Sequence, residues 1–325
     1  MEKLRYSVFL NLFDSCCDRY CTEGYGQRRT LKEQVEAVKG IDRISGVDLV
    51  VYRDTDYHAA SRLLEESGLK LASVLPDISC DPVFRQGALT SQEAAVRQRA
   101  VQKIKEAMDF AAAQGCPSVT IWPGQDGFDY LFQADYQRDM EFLKEGLKDC
   151  AAHRRDITVH LEYKPCEPRT HSYLDSCASA IAMIQAAGEE NLGVAVDFGH
   201  TLMDRQPPAE SLALCRFYGI HQLHVHINDC FGQADDDMIP GSVNTLQYVE
   251  FFYWLRQMDY QGYITFDQFP YREDAIEAVQ EGCRWLDALW EVSARLDKEE
   301  VRSVWQKKDG VGAVRLLRNA LFSLS

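Results

Sequence analysis

The chain has 325 residues, with 50 acidic against 35 basic side chains and a formal net charge of −15. That length buries a core without help from disulfides and suits one α/β barrel with a short addition, while the charge repels nucleic-acid phosphates and anionic membranes, so neither is expected as a partner. The eleven cysteines are scattered without a C-x-x-C pair. No secretory pattern occupies Met1–Leu12, and no apolar run approaches the ~20 residues of a membrane span, so a reducing, cytoplasmic setting is expected.

In chain order, short β-branched runs alternate with helical periodicity. Strands are expected at Tyr6–Phe13, Val47–Tyr52, Lys70–Leu75, Ser118–Trp122, Ile157–Tyr163, Leu192–Phe198, Ile220–Ile227 and Tyr263–Phe269. Between them, helices are expected over Ser91–Gln114, Tyr136–His153, Tyr173–Ala187 and Thr245–Met258. Gly68, Gly115 and Asn191 stand ahead of strands three, four and six as helix-ending residues. The alternation predicts a parallel sheet closed into a single (β/α)8 TIM barrel over residues 1–295, with an open doubly wound sheet as the alternative. Beyond it, a polar segment at Asp297–Glu300 leads to a short amphipathic helix at Gly312–Leu324. Residues 296–325 therefore read as a helical extension that packs on the barrel or on another subunit.

Alternate residues of a strand face opposite sides, so direction can be read strand by strand. On the fifth strand Thr158, His160, Glu162 and Lys164 face the barrel axis; on the sixth, Gly193, Ala195 and Asp197 do so. His224, His226 and Asn228 share that face on the seventh strand, and Tyr263, Thr265 and Asp267 on the eighth. Four consecutive strands thus end in Glu162, Asp197, His226 and Asp267, at the carboxyl face where barrel enzymes keep their sites. Three carboxylates around one axis repel each other unless a cation joins them. Carboxylate-rich ligation with one imidazole favours Mn2+, Mg2+ or Co2+. A second ion is suggested by His200, three residues past Asp197, and by Asp235 and Asp237 in the acidic loop after His226, with Asp197 bridging the two ions.

These residues have a familiar arrangement. The stretch Glu162 to Arg169, Glu-Tyr-Lys-Pro-Cys-Glu-Pro-Arg, resembles the Glu-x-Lys-Pro-x-Glu-Pro-Arg stretch of xylose isomerases. Asp197-x-x-His200 with the Asp-x-Asp of Asp235 and Asp237 is similar to the two-metal pattern of xylose and rhamnose isomerases, and Asp197 with His226 is closer to the rhamnose side. The turn from Ile121 to Gly127 resembles another xylose isomerase motif. The resemblance runs from about strand four to the C-terminus. It implies that Lys164 is the catalytic lysine, stabilising charge at the carbonyl end of a sugar, with His200 and Asp235 beside it. It also implies that Trp122 forms an apolar wall. By strand direction His160 and His224 are the other inward histidines, and either could meet the substrate as acid or base. The implied activity is interconversion of an unphosphorylated aldose and ketose by metal-assisted hydride shift, in a homo-oligomer (dimer or tetramer) with two ions per chain.

A single-ion ketose 3-epimerase, or another epimerase or lyase of the same superfamily, is the alternative. Asp267 is short for a base, and Gly232 stands near the place where an epimerase-like arginine is expected. A ring-opening histidine is not evident; His58 with Asp54 or Asp56 is the candidate. A DNA-cleaving phosphodiesterase is disfavoured by the charge, and a non-catalytic barrel by the intact ligand set.

Overall fold

The computed structural model describes residues 4–322, so the last positions of the expected final helix, including Leu324, lie outside the described residues. Eight parallel strands close into a barrel: β1 Arg5–Phe9, β2 Ile44–Val51, β3 Lys70–Pro76, β4 Ser118–Ile121, β5 Thr158–Glu162, β6 Leu192–Asp197, β7 Leu223–Ile227 and β8 Tyr263–Phe266. β1 pairs with both β2 and β8, which closes the ring and disposes of the open-sheet alternative. The outward residues Val159, Leu161, Val194, Val196, Val225, Ile227, Ile264 and Phe266 are fully buried in one continuous hydrophobic cluster. A parallel strand covered on both faces needs such residues.

Around the barrel run α1 Leu31–Lys39, α2 Tyr57–Ser67, α3 Ala94–Ala113, α4 Tyr136–His153, α5 Cys177–Ala187, α6 Phe198–Met203, α7 Pro208–Phe217, α8 Thr245–Gln257 and α9 Ala275–Ala294. Their starts are set by side chains that take up free backbone N–H groups. Thr30 and Glu33 form a capping box on α1, and Asp56, Asp135, Asp197 and Asp274 cap α2, α4, α6 and α9.

Several boundaries differ from expectation. β1 stops at Phe9 and the chain tightens into a 3-10 turn over Leu10–Phe13, and β8 stops at Phe266 rather than Phe269. α5 ends at Gly188, in the left-handed conformation, and not at Asn191. The Asn191 amide instead donates to the carbonyls of Ala151, Arg154 and Ile157. The polar segment after Asp297 is the first turn of a helix, α10 Lys298–Lys307, followed by α11 Gly310–Phe322. Both pack on the barrel: Trp305 stacks on Trp254 of α8, and Arg295 at the end of α9 donates to the Ala320 carbonyl.

A small antiparallel ribbon, Gly127–Phe128 with His171–Ser172, joins the loops that follow β4 and β5. A Cβ at Gly127 would lie 2.0 Å from the His171 carbonyl oxygen, so only glycine permits the pairing. Arg169 ties these loops together, pairing with Asp129 and donating to the carbonyls of Gln125 and Arg85. Among the described residues no helix is long and apolar enough to cross a membrane.

Candidate active site

The barrel registers set the depth of each inward side chain. Glu162 pairs across to Ala195, Asp197 to His226, and His226 to Thr265. Asp267 follows β8, its N–H still donating to Ile227 as the strand ladder does. Glu162, Asp197, His226 and Asp267 each offer a ligand atom, and these atoms all lie within 4.8 Å of one another. His226 Nδ1 is 3.1 Å from Glu162 Oε1 and 3.5 Å from Asp267 Oδ2.

His200 sits at the first turn of α6 because Asp197 caps that helix, accepting the His200 N–H at 2.7 Å. Its Nε2 lies 2.9 Å from Asp235 Oδ2, whereas Nδ1 is buried without a hydrogen-bond partner, 3.6 Å from both Glu162 and Asp197. Lys164 reaches the same Asp235 oxygen at 2.8 Å and Glu167 at 3.1 Å, and its ammonium lies 5.4 Å from the centre of the Trp122 ring. Asp237 is near enough to Asp235 and Asp267 to feel both charges. Among the described residues, His200, Asp235 and Asp237 do not form a ligand grouping as tight as the first one; the Lys164 ammonium pairs with Asp235 there instead.

The electrostatics follow from this crowding. Burial, helped by Asp235 and Glu162, raises the Asp197 carboxyl to about 6. Burial and neighbouring carboxylates hold Asp237 and Asp267 well above the usual range. Burial alone would push Glu162 up, but His226, His200 and Lys164 bring it below its ordinary value. Burial would lower His200, yet Asp197 and Asp235 raise it to about 9. Without a further cation, therefore, some of these acids hold protons near neutral pH.

Other expected residues sit elsewhere. His58 is exposed in the first turn of α2, where Asp56 accepts its backbone N–H; neither residue, nor the exposed Asp54, belongs to this cluster. His160 and His224 face inward but lie buried among barrel side chains. His160 Nδ1 pairs with Ser118 at 3.0 Å, and His224 Nε2 with Asp48 at 2.7 Å and Thr265 at 3.2 Å. Both take part in the interior hydrogen-bond network. Two residues near the cluster escaped the sequence reading. Asp48 is a fully buried carboxylate on β2, whose one signal is an acid within the apolar run Val47–Val51. Tyr271 places its hydroxyl 3.5 Å from Asp237 and sits in a loop without any local signature.

The chain matches the family described as xylose isomerase-like TIM barrel over residues 34–289. It belongs to that family. Among curated relatives, the xylose isomerase of Thermus thermophilus is 29% identical over 240 residues, covering 71% of this chain and 62% of the relative. The xylose isomerase of Agrobacterium fabrum is 25% identical over 230 residues, covering 69% of this chain and 50% of the relative. The chain thus spans less than two thirds of the length of these xylose isomerases. Two solved structures share the fold of this xylose isomerase-like barrel. A D-tagatose 3-epimerase-like protein has a TM-score of 0.68 at 18% identity, covering 88% of this chain and 98% of that one. A D-allulose 3-epimerase from Methylomonas sp. has a TM-score of 0.68 at 15% identity, covering 89% and 99%. Likeness at those identities speaks to fold alone.

Proposed function

We propose that the protein is a divalent-metal-dependent enzyme that interconverts an unphosphorylated aldose and its ketose. The observation that carries this reading is the convergence of Glu162, Asp197, His226 and Asp267 within 4.8 Å at the mouth of the barrel. Three carboxylates and an imidazole suit Mn2+, Mg2+ or Co2+, and the partnerless Nδ1 of His200 beside them fits a set of donors built for a cation. An ion held there supplies Lewis acidity toward adjacent sugar oxygens. Lys164, freed in part from Asp235, donates to the oxygen at the carbonyl end and stabilises charge that develops on it. Asp235 and Glu167 keep that ammonium charged and pointed into the mouth, and Trp122 offers an apolar face to the sugar's carbons. His200, Asp235 and Asp237 are the groups proposed for a second ion. The reading includes a homo-oligomer, for which the exposed Tyr130, Leu131 and Phe132 are candidate contact residues. The 296–325 extension is proposed as an appendage of the barrel.

The relatives named above include xylose isomerases, which supports the isomerase reading. The engagement of Asp235 by Lys164 favours a second reading, a single-ion epimerase acting on a ketose. One experiment separates them. Metal-stripped protein is reloaded with Mn2+ and incubated with a panel of aldoses and ketoses in D2O. Aldose–ketose conversion that retains the substrate's own hydrogen supports the proposal. Inversion at one carbon with uptake of solvent deuterium turns the reading to the epimerase. Inertness toward every sugar overturns both.

A further inference from the structure

His226 turns Nδ1 toward Glu162 and Asp267, and its other ring nitrogen points back into the barrel. That Nε2 is buried, lacks a hydrogen-bond partner, and lies 3.8 Å from Oδ2 of Asp48. Asp48 is wholly buried on β2, and protein donors already orient it. Ser7 and Thr265 hydroxyls donate to Oδ1 at 3.0 Å each, and His224 Nε2 meets Oδ2 at 2.7 Å. The edge of Phe9 packs on the His226 ring at 5.0 Å between centroids, which limits ring rotation. A small tilt of that ring toward Asp48, on the order of 1 Å, brings Nε2 to hydrogen-bond distance.

An imidazole that binds a cation through one nitrogen must keep its proton on the other. Without an acceptor beside Nε2, nothing decides which proton leaves. We propose that Asp48 is a positioning residue: it holds the proton of His226 on Nε2, so that Nδ1 supplies its lone pair to an ion shared with Glu162, Asp197 and Asp267. The proposal rests on the reading of that cluster as an ion site. Asp48, His224 and His226 lie close enough to hold an ion themselves. An ion there would have to displace the 2.7 Å contact of His224 Nε2 with Asp48 Oδ2, whereas a hydrogen bond from His226 leaves it in place, so the positioning role is the better account. Partners of this kind, behind a ligating histidine, typically change metal affinity by ~10–100-fold when removed.

The test uses the full chain and Mn2+ or Mg2+ alone, without sugar. Calorimetry of Asp48→Asn should give a Mn2+ dissociation constant ~10–100-fold weaker than wild type. In 15N-histidine spectra of Mg2+-loaded wild type, the His226 signal (identified by its loss in His226→Gln) should show Nε2 protonated and hydrogen-bonded. Ser7→Ala removes one donor to Asp48 without touching an imidazole, and should bind Mn2+ close to wild type. Three results overturn the role of Asp48: an Asp48→Asn chain that binds Mn2+ as tightly as wild type; a Ser7→Ala chain weakened as much as Asp48→Asn; and Mg2+-loaded wild type with the proton on Nδ1, which decides the matter even if Asp48→Asn does not fold. Wild type that binds neither ion refutes the reading of the cluster itself, and the role of Asp48 falls with it.

Discussion

Replacing Asp197 by Asn should make the metal-free protein more stable and the metal-loaded protein less so. Burial holds the folded Asp197 carboxyl at about 6, above its ordinary 3.8. That difference corresponds to about 3 kcal/mol against folding when the group is ionised. The sign follows from a raised folded value: the penalty is fully present above about pH 6 and is relieved as the pH falls toward 3.8. At pH 4.5 it should have shrunk to about 1 kcal/mol. Asn removes the charge while its side-chain oxygen can still cap α6 through the His200 N–H. With an unfolding entropy of ~2.1 cal/mol/K per residue, a chain of 325 residues converts 3 kcal/mol into about 4 °C. The assay is thermal unfolding of EDTA-treated wild type and Asp197→Asn between pH 7.5 and 4.5, repeated with excess Mn2+. The variant should melt higher without metal at pH 7.5, lose most of that advantage at pH 4.5, and fall behind wild type once Mn2+ is present. A metal-free variant that melts below wild type at pH 7.5, or a difference that does not change with pH, refutes the reasoning.

Glu162→Gln and Lys164→Met should both abolish sugar turnover, but metal analysis after gel filtration should find less bound Mn2+ only in the first. Equal metal content in the two variants removes Glu162 from the ligand set. His58→Ala should leave Mn2+ affinity and turnover unchanged, because the side chain is exposed on α2, away from the cluster; a loss of turnover would restore it to the site. Gly193→Ala should lower stability by about 1–3 kcal/mol in denaturant titrations, as expected for overpacking. Its Cβ would sit 2.4 Å from the Gln222 carbonyl oxygen and 2.8 Å from the His160 ring, and an unchanged midpoint would contradict the packing described.

Much of the barrel and of the candidate site could be read from residue order. The period-two alternation placed Glu162, Asp197, His226 and Asp267 on one face of four successive strands, because a strand's side-chain direction is a local property. Boundaries were less legible. The segment after Phe9 has the apolar composition of a strand but tightens into a turn, and the acidic turn at Asp297 caps a helix. His58 was a plausible partner for Asp56 by spacing alone, yet that aspartate spends its side chain on the free N–H groups that begin α2.

What the sequence by itself determined is therefore the set of groups that face the axis and the strand ends they occupy. Only the closed barrel decided which of them meet. Asp48 and His224 are separated by 176 residues and pair at 2.7 Å, and Lys164 finds Asp235 across 71 residues. Neither pairing has a local signal. Strand tilt and register around a closed ring choose the neighbours of an inward side chain, and those are set by the whole fold rather than by any one segment.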